Sequence, residues 1–250
     1  MGQTQDRMSF VDMLIVAKNR WRSQLGSTWV LIFLIVLVKD LYIYAGGGMP
    51  TSKVGEMVVL AMMLIGFIIL FSALLYRINA ANTGQEIELA DVYSAVFQRF
   101  LHLLILVFYY AIVLGVFYGV AWYASMHFYT GANDIIQRLL MLIIIVVLPC
   151  VYVIVLSLFS WPLILLDNMN VFKAIGKSMQ MTWFHWLYVF NLYLLIGFVI
   201  LVSLPGTMHG KLLIHYHLIA LFDLLVLGIT VPIICNIMIL MKQELQRLNA

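Results

Sequence analysis

The sequence predicts an all-α integral membrane protein, with six transmembrane helices and short amphipathic helices at the interface. Three observations support this. Of 250 residues, 64% are hydrophobic and 10% are Asp, Glu, Lys or Arg, against about 25% charged residues in a soluble domain. The mean hydropathy is +1.05, so there is too little polar surface to cover a water-facing globule of this length. The apolar residues also gather in long runs, each near the ~20 residues a helix needs to cross hydrocarbon. Barrel strands are excluded, because they need only ~9–11 residues and alternate with period two. Soluble, disordered and nucleic-acid-binding classes fall away too; the formal net charge is only +3.

Six runs qualify as spans. The first covers 27–45, with Lys39 and Asp40 near its far end, and Gly46-Gly47-Gly48 follows as a flexible outer turn. The second covers 54–76 and ends on Arg77, the third 100–126, the fourth 139–166. The fifth, 183–204, is closed by Pro205-Gly206, and the sixth covers 218–241. Pro149, Pro162 and Pro232 lie inside spans four and six, and each should kink its helix by removing a backbone donor. Residues 1–28 contain no short apolar core with a small-residue cleavage site, so no signal peptide is expected.

Charge sets the orientation. Arg7, Lys18, Arg20, Arg22, Arg77, Arg99, Lys173, Lys177, Lys242 and Arg247 fall on one side of this layout. Lys39, Lys53, Arg138 and Lys211 fall on the other. The positive-inside rule then puts both termini in the cytoplasm, and an even number of spans agrees.

The cytoplasmic connections carry a helical pattern. Leu89, Val92, Val96 and Phe100 recur at offsets 0, +3, +7 and +11, one face of a helix. The same offsets pick out Phe172, Ile175, Met179 and Trp183 before span five, and Phe10, Met13, Ala17 and Trp21 before span one. A Ser9-x-x-Asp12 capping box opens the latter. The expectation is a single membrane domain, 1–250, of three repeats, 9–80, 88–166 and 170–250. Each is a short interfacial helix followed by two spans, its apolar face at the headgroup boundary and its basic face toward anionic lipid.

Residues 161–183 read Trp-Pro-Leu-Ile-Leu-Leu-Asp-Asn-Met-Asn-Val-Phe-Lys-Ala-Ile-Gly-Lys-Ser-Met-Gln-Met-Thr-Trp. This stretch resembles the signature of the YciC-type inner-membrane proteins. In that family an apolar-Pro-apolar run is followed by an acidic residue, a small turn, and a helix closing on Ser-x-x-x-Thr-Trp. The matching positions are Pro162, Asp167, Ser178, Thr182 and Trp183, and the ending Ile239-Leu-Met-Lys-Gln243 is also similar. The resemblance implies a six-span protein of the bacterial inner membrane and brings no catalytic residues. From the residues themselves, Asp167 is expected to serve the start of the following helix, and Ser178 to lie on its polar side.

No enzyme motif is present: no His-Glu-x-x-His, no Gly-x-Ser-x-Gly, no phosphate-binding glycine loop. No cofactor is expected. Cys150 and Cys235 are 85 positions apart inside apolar runs and read as core thiols. His209, His215 and His217, with His127, gather in outer loops without a full metal-ligand set. The polar residues that lipid makes expensive are the candidates for function: Asp223 foremost, then Asn191 and Asn236, with His102 and His185 at equivalent places in two repeats. The expected partners are membrane lipids, other membrane proteins or a second copy of the chain, and no nucleic acid. The sequence favours a non-enzymatic role in envelope or lipid homeostasis, or in a membrane complex. The alternative is a small-solute or lipid transporter or channel using a polar path near Asp223.

Overall fold

The computed structural model describes residues 8–48, 53–128, 148–203 and 213–249. Every regular element among them is helical. The α-helices are α1 (Phe10–Gly48), α2 (Lys53–Asn82), α3 (Leu89–Phe128), α4 (Leu148–Ser157), α5 (Ser160–Leu166) and α6 (Val171–Thr182). A 3-10 turn, Trp183–His185, then leads into α7 (Trp186–Ser203), and α8 (Leu213–Leu248) closes the chain. Five stretches of the described residues are long and apolar enough to cross a membrane: Ala61–Asn82, Leu89–Val120, Leu148–Leu166, Val171–Phe198 and Val226–Leu248. They fit a multi-pass membrane protein and overlap expected spans two to six. The first expected span lies along α1, whose side chains from 38 onward are outside the described ones.

Local chemistry explains the ends. Ser9 caps α1 as the sequence predicts: its Oγ accepts from the Asp12 N–H at 3.1 Å and donates to Asp12 Oδ2 at 2.6 Å. Helix α2 stops at Gly84, whose φ of 72° suits a residue without Cβ. Two bonds close that end, Gln85 N–H to Ala80 O at 3.0 Å and Gly84 N–H to Ala81 O at 3.3 Å, the Schellman pattern. Asn168 takes a left-handed φ of 56° after α5, a conformation asparagine tolerates better than most residues.

Three expectations need correction. The segments 10–21 and 89–100 are not separate interfacial helices; each runs unbroken into the apolar helix that follows, as α1 and α3. Neither contains a proline or a glycine that would stop it. Gly46, Gly47 and Gly48 are the last residues of α1, not a free turn. Asp167 does not cap α6: Asn170 does, its side chain accepting from the Phe172 N–H at 3.4 Å, while Asp167 closes α5.

The chain forms two compact units, Met1–Phe100 with Phe190–Ala250, and Leu101–Val189. The first is built on α1, α2 and α8. Met13, Ala17, Leu31 and Ile32 from α1 are buried with Ile68, Leu74, Leu75 and Ile78 from α2 and Cys235, Ile237, Met241 and Leu245 from α8. Helices α1 and α8 run antiparallel, since Met8 meets Glu244 while Trp29 and Ile32 meet Gly228. In the second unit α6 packs against α4 and α5 through Val171, Ala174, Ile175 and Met181. The break between α4 and α5 falls at Leu158 and Phe159, one turn before Pro162. Proline is thereby placed in the first turn of α5, where the donor it lacks has no helical acceptor.

Candidate functional site

Pro232 sits inside α8. Its missing N–H deprives the Gly228 carbonyl, one turn earlier, of its normal helical donor. In an apolar interior no water replaces that donor, and an orphaned carbonyl is costly. The indole of Trp21 supplies one, with Nε1 donating to Gly228 O at 3.3 Å. Gly228 itself is buried against α1: a Cβ there would stand 2.7 Å from Trp29 Cζ3 and 3.7 Å from Ile32 Cγ2. The proline fixes where α8 needs a partner, and the glycine lets α1 come close enough to provide it.

Two turns further along α8 lies a ring of three carboxamides. Gln24 Nε2 donates to Asn82 Oδ1 at 2.9 Å, Asn82 Nδ2 to Asn236 Oδ1 at 3.0 Å, and Asn236 Nδ2 to Gln24 Oε1 at 3.2 Å. Asn236 Nδ2 also donates to Pro232 O at 3.0 Å. That last bond decides the direction of the whole ring. The atom facing a carbonyl oxygen must carry hydrogens, so Asn236 cannot be flipped, and the other two amides follow from it. Asn236 is fully buried, Gln24 nearly so and Asn82 half-buried. The ring ties α1, α2 and α8 together at the end of α2. Carboxamides neither gain nor lose protons near neutral pH, so the arrangement holds helices and offers no acid–base chemistry. Beyond it, Glu244 Oε1 accepts from the Met8 N–H at 3.2 Å and from Arg247 at 2.7 Å, drawing the start of α1 to the end of α8.

In the second unit Ser178 holds the broken helix. Its Oγ accepts from the Phe159 N–H at 3.1 Å and donates to Leu156 O at 2.8 Å. Both are backbone groups that the break removes from the helical ladder. Tyr110 adds a bond from its hydroxyl to Ser157 O at 2.8 Å. Ser178 is therefore fully buried, and its expected place on a polar face is corrected: the break created a demand inside the protein.

Of the predicted residues, only Asn236 enters a site that the described residues define. Asp223 lies on α8, but its side chain is outside the described ones. Asn191 is on α7 and exposed. His102 is half-buried on α3, and its Nδ1 is buried without a hydrogen-bond partner among the described residues. His185 ends the 3-10 turn and is half-buried. Cys150 and Cys235 are buried free thiols. His209 lies outside the described residues, as do the side chains of His127, His215 and His217. Among the described residues no group of three His, Cys, Asp or Glu could hold a metal ion. Gln24, Asn82, Trp21 and Ser178 were not singled out as functional from sequence; none lies within a turn of a proline in the chain, so no local signal marks them. No family model, curated protein or solved structure matches this chain.

Proposed function

We propose that the protein is a non-enzymatic multi-pass protein of the bacterial inner membrane, of the YciC type, with both termini in the cytoplasm. It serves envelope or lipid homeostasis, or acts as a partner in a membrane complex, and membrane lipids are its immediate partners. The family reading rests on residues 161–183 and on the similar ending 239–243. The observation that favours this reading over a transporter is the closed amide ring of Gln24, Asn82 and Asn236. A transport path needs polar side chains left open to solute. These three instead face one another and hold three helices.

The test uses the purified chain in sealed vesicles. The expected result is a proton and monovalent-cation flux no greater than that of protein-free vesicles, unchanged by Asp223→Asn. In a deletion strain, membrane lipid composition or detergent sensitivity should shift and be restored equally by wild type and Asp223→Asn. A flux that Asp223→Asn abolishes overturns the proposal in favour of a transporter.

A further inference from the structure

Helix α6 has two unlike faces. At about 100° per residue, Val171, Ala174, Ile175, Ser178, Met181 and Thr182 share one side, and all six are buried. The opposite side divides into two edges. Phe172 and Trp183 lie on one edge, 78% and 54% exposed, and Phe184, 83% exposed, follows Trp183 in the 3-10 turn and comes round toward the other edge. Lys173 and Lys177, one turn apart, lie on the other edge. Gly176 and Gln180 separate the edges, and nothing stands within 4 Å of a Cβ built on Gly176. No Asp or Glu occurs on the helix, and neither lysine pairs with a described residue.

Three large aromatic rings facing outward would be costly in water, at about 1.5–3 kcal/mol for each fully exposed one. They are what an interfacial helix buries at the boundary between headgroups and acyl chains. The expected apolar stripe is divided: Ile175 is buried against α4 and α5 and Met179 is half-buried, while Phe172 and Trp183 at its two ends face outward. The lipid-facing edge is the aromatic one, and it is anchored from behind: Tyr152 on α4 meets Trp183 and Trp186 edge-on, at centroid distances of 6.1 and 5.8 Å. Exposed rings flanking two ammonium groups that have no partner among the described residues match a phospholipid with net negative charge, its acyl carbons under the rings and its phosphate between the lysines.

We propose that α6 and the turn after it form a binding surface for an anionic phospholipid of the membrane, with Lys173 and Lys177 holding the headgroup and Phe172, Trp183 and Phe184 seated in the acyl boundary. The inference rests on the membrane reading above and specifies the lipid and the residues. Lysines near an anionic surface act largely as independent charges, so removing two should weaken the selective part of binding by roughly tenfold or more.

The test measures lipid retained by the full chain in native mass spectrometry, after exchange into mixed micelles containing equal amounts of phosphatidylglycerol and phosphatidylcholine. Wild type should retain phosphatidylglycerol preferentially. Lys173→Gln with Lys177→Gln should lose that preference, and Lys173→Arg with Lys177→Arg should keep it. No preference in wild type, or an undiminished preference in the glutamine pair, overturns the proposal. So does an equal loss of both lipids, which would mean general damage to packing. Alkali extraction of the cell membranes is run in parallel. Protein that stays in the pellet while the lipid preference fails sinks this proposal alone, whereas protein released by alkali sinks the membrane reading.

Discussion

Trp21 gives its indole hydrogen to the carbonyl of Gly228 across 3.3 Å, and that carbonyl needs it because the residue four positions on is Pro232. The pair predicts a coupling between two substitutions. Trp21→Phe keeps an aromatic, if smaller, ring and removes the donor, and should destabilise by about 1–2 kcal/mol in a membrane environment. Pro232→Ala returns a backbone N–H to α8. In that background Trp21→Phe should cost almost nothing. Unfolding in detergent, read as a double-mutant cycle, checks this; additive effects would mean that the indole bond does not serve the proline gap.

Gly228→Ala sets two effects against each other. Alanine favours a helix over glycine by about 1 kcal/mol at most. Its Cβ, however, would stand 2.7 Å from a ring carbon of Trp29, and overpacking costs about 1–3 kcal/mol. The clash should win and lower the unfolding temperature. Trp29→Leu should recover most of the loss, since the shorter side chain does not reach position 228.

The apolar runs made the helices legible, and the prolines at 162 and 232 marked the two places where the helical ladder fails. What answers those failures was not legible. Gln24 and Asn82 are 58 positions apart, and Asn82 and Asn236 are 154 apart, so only the packing of α1, α2 and α8 brings the amides into one ring. Of the three apolar stripes, Met13, Ala17, Val92, Val96 and Ile175 are buried, while Leu89, Phe172 and Trp183 are exposed. Periodicity cannot say whether such a stripe meets lipid or protein, because both are equally apolar to it. Ser178 was misplaced for a related reason: a serine on a short amphipathic helix reads as solvent-facing unless the break it mends is known.

Ser178→Ala should leave the Phe159 N–H and the Leu156 carbonyl without their partner at the α4–α5 break, at a cost of about 1–3 kcal/mol. Ser157→Ala is the control. Ser157 Oγ donates to carbonyls of its own helix, Val153 O at 2.9 Å and Ile154 O at 3.3 Å, and the nearer of them, Val153 O, already belongs to the helical ladder. Amide hydrogen exchange over 156–163 should accelerate in the first variant and stay near wild type in the second. Equal acceleration would remove the special position of Ser178.

Asn236→Asp turns the direction of the amide ring into a pH dependence. The Nδ2 of Asn236 faces two acceptors, Gln24 Oε1 and Pro232 O, and its Oδ1 faces one donor, Asn82 Nδ2. An aspartate oxygen in place of Nδ2 would meet two oxygens, and only the protonated carboxyl could donate to either. Ionising that carboxyl in the folded chain would leave a buried charge against two oxygens. Below pH about 3.9 the unfolded chain also carries the proton, and the variant suffers only the loss of one donor hydrogen. As pH rises the unfolded chain ionises freely while the folded chain does so at a cost, and folded stability falls. The variant should be most stable in mild acid and lose stability toward neutrality, while wild type changes little over the same range. Unfolding temperatures measured from pH 4 to 8 in one detergent decide it; a variant that gains stability with pH relative to wild type would mean that position 236 presents its oxygen, not its nitrogen, to the Pro232 carbonyl.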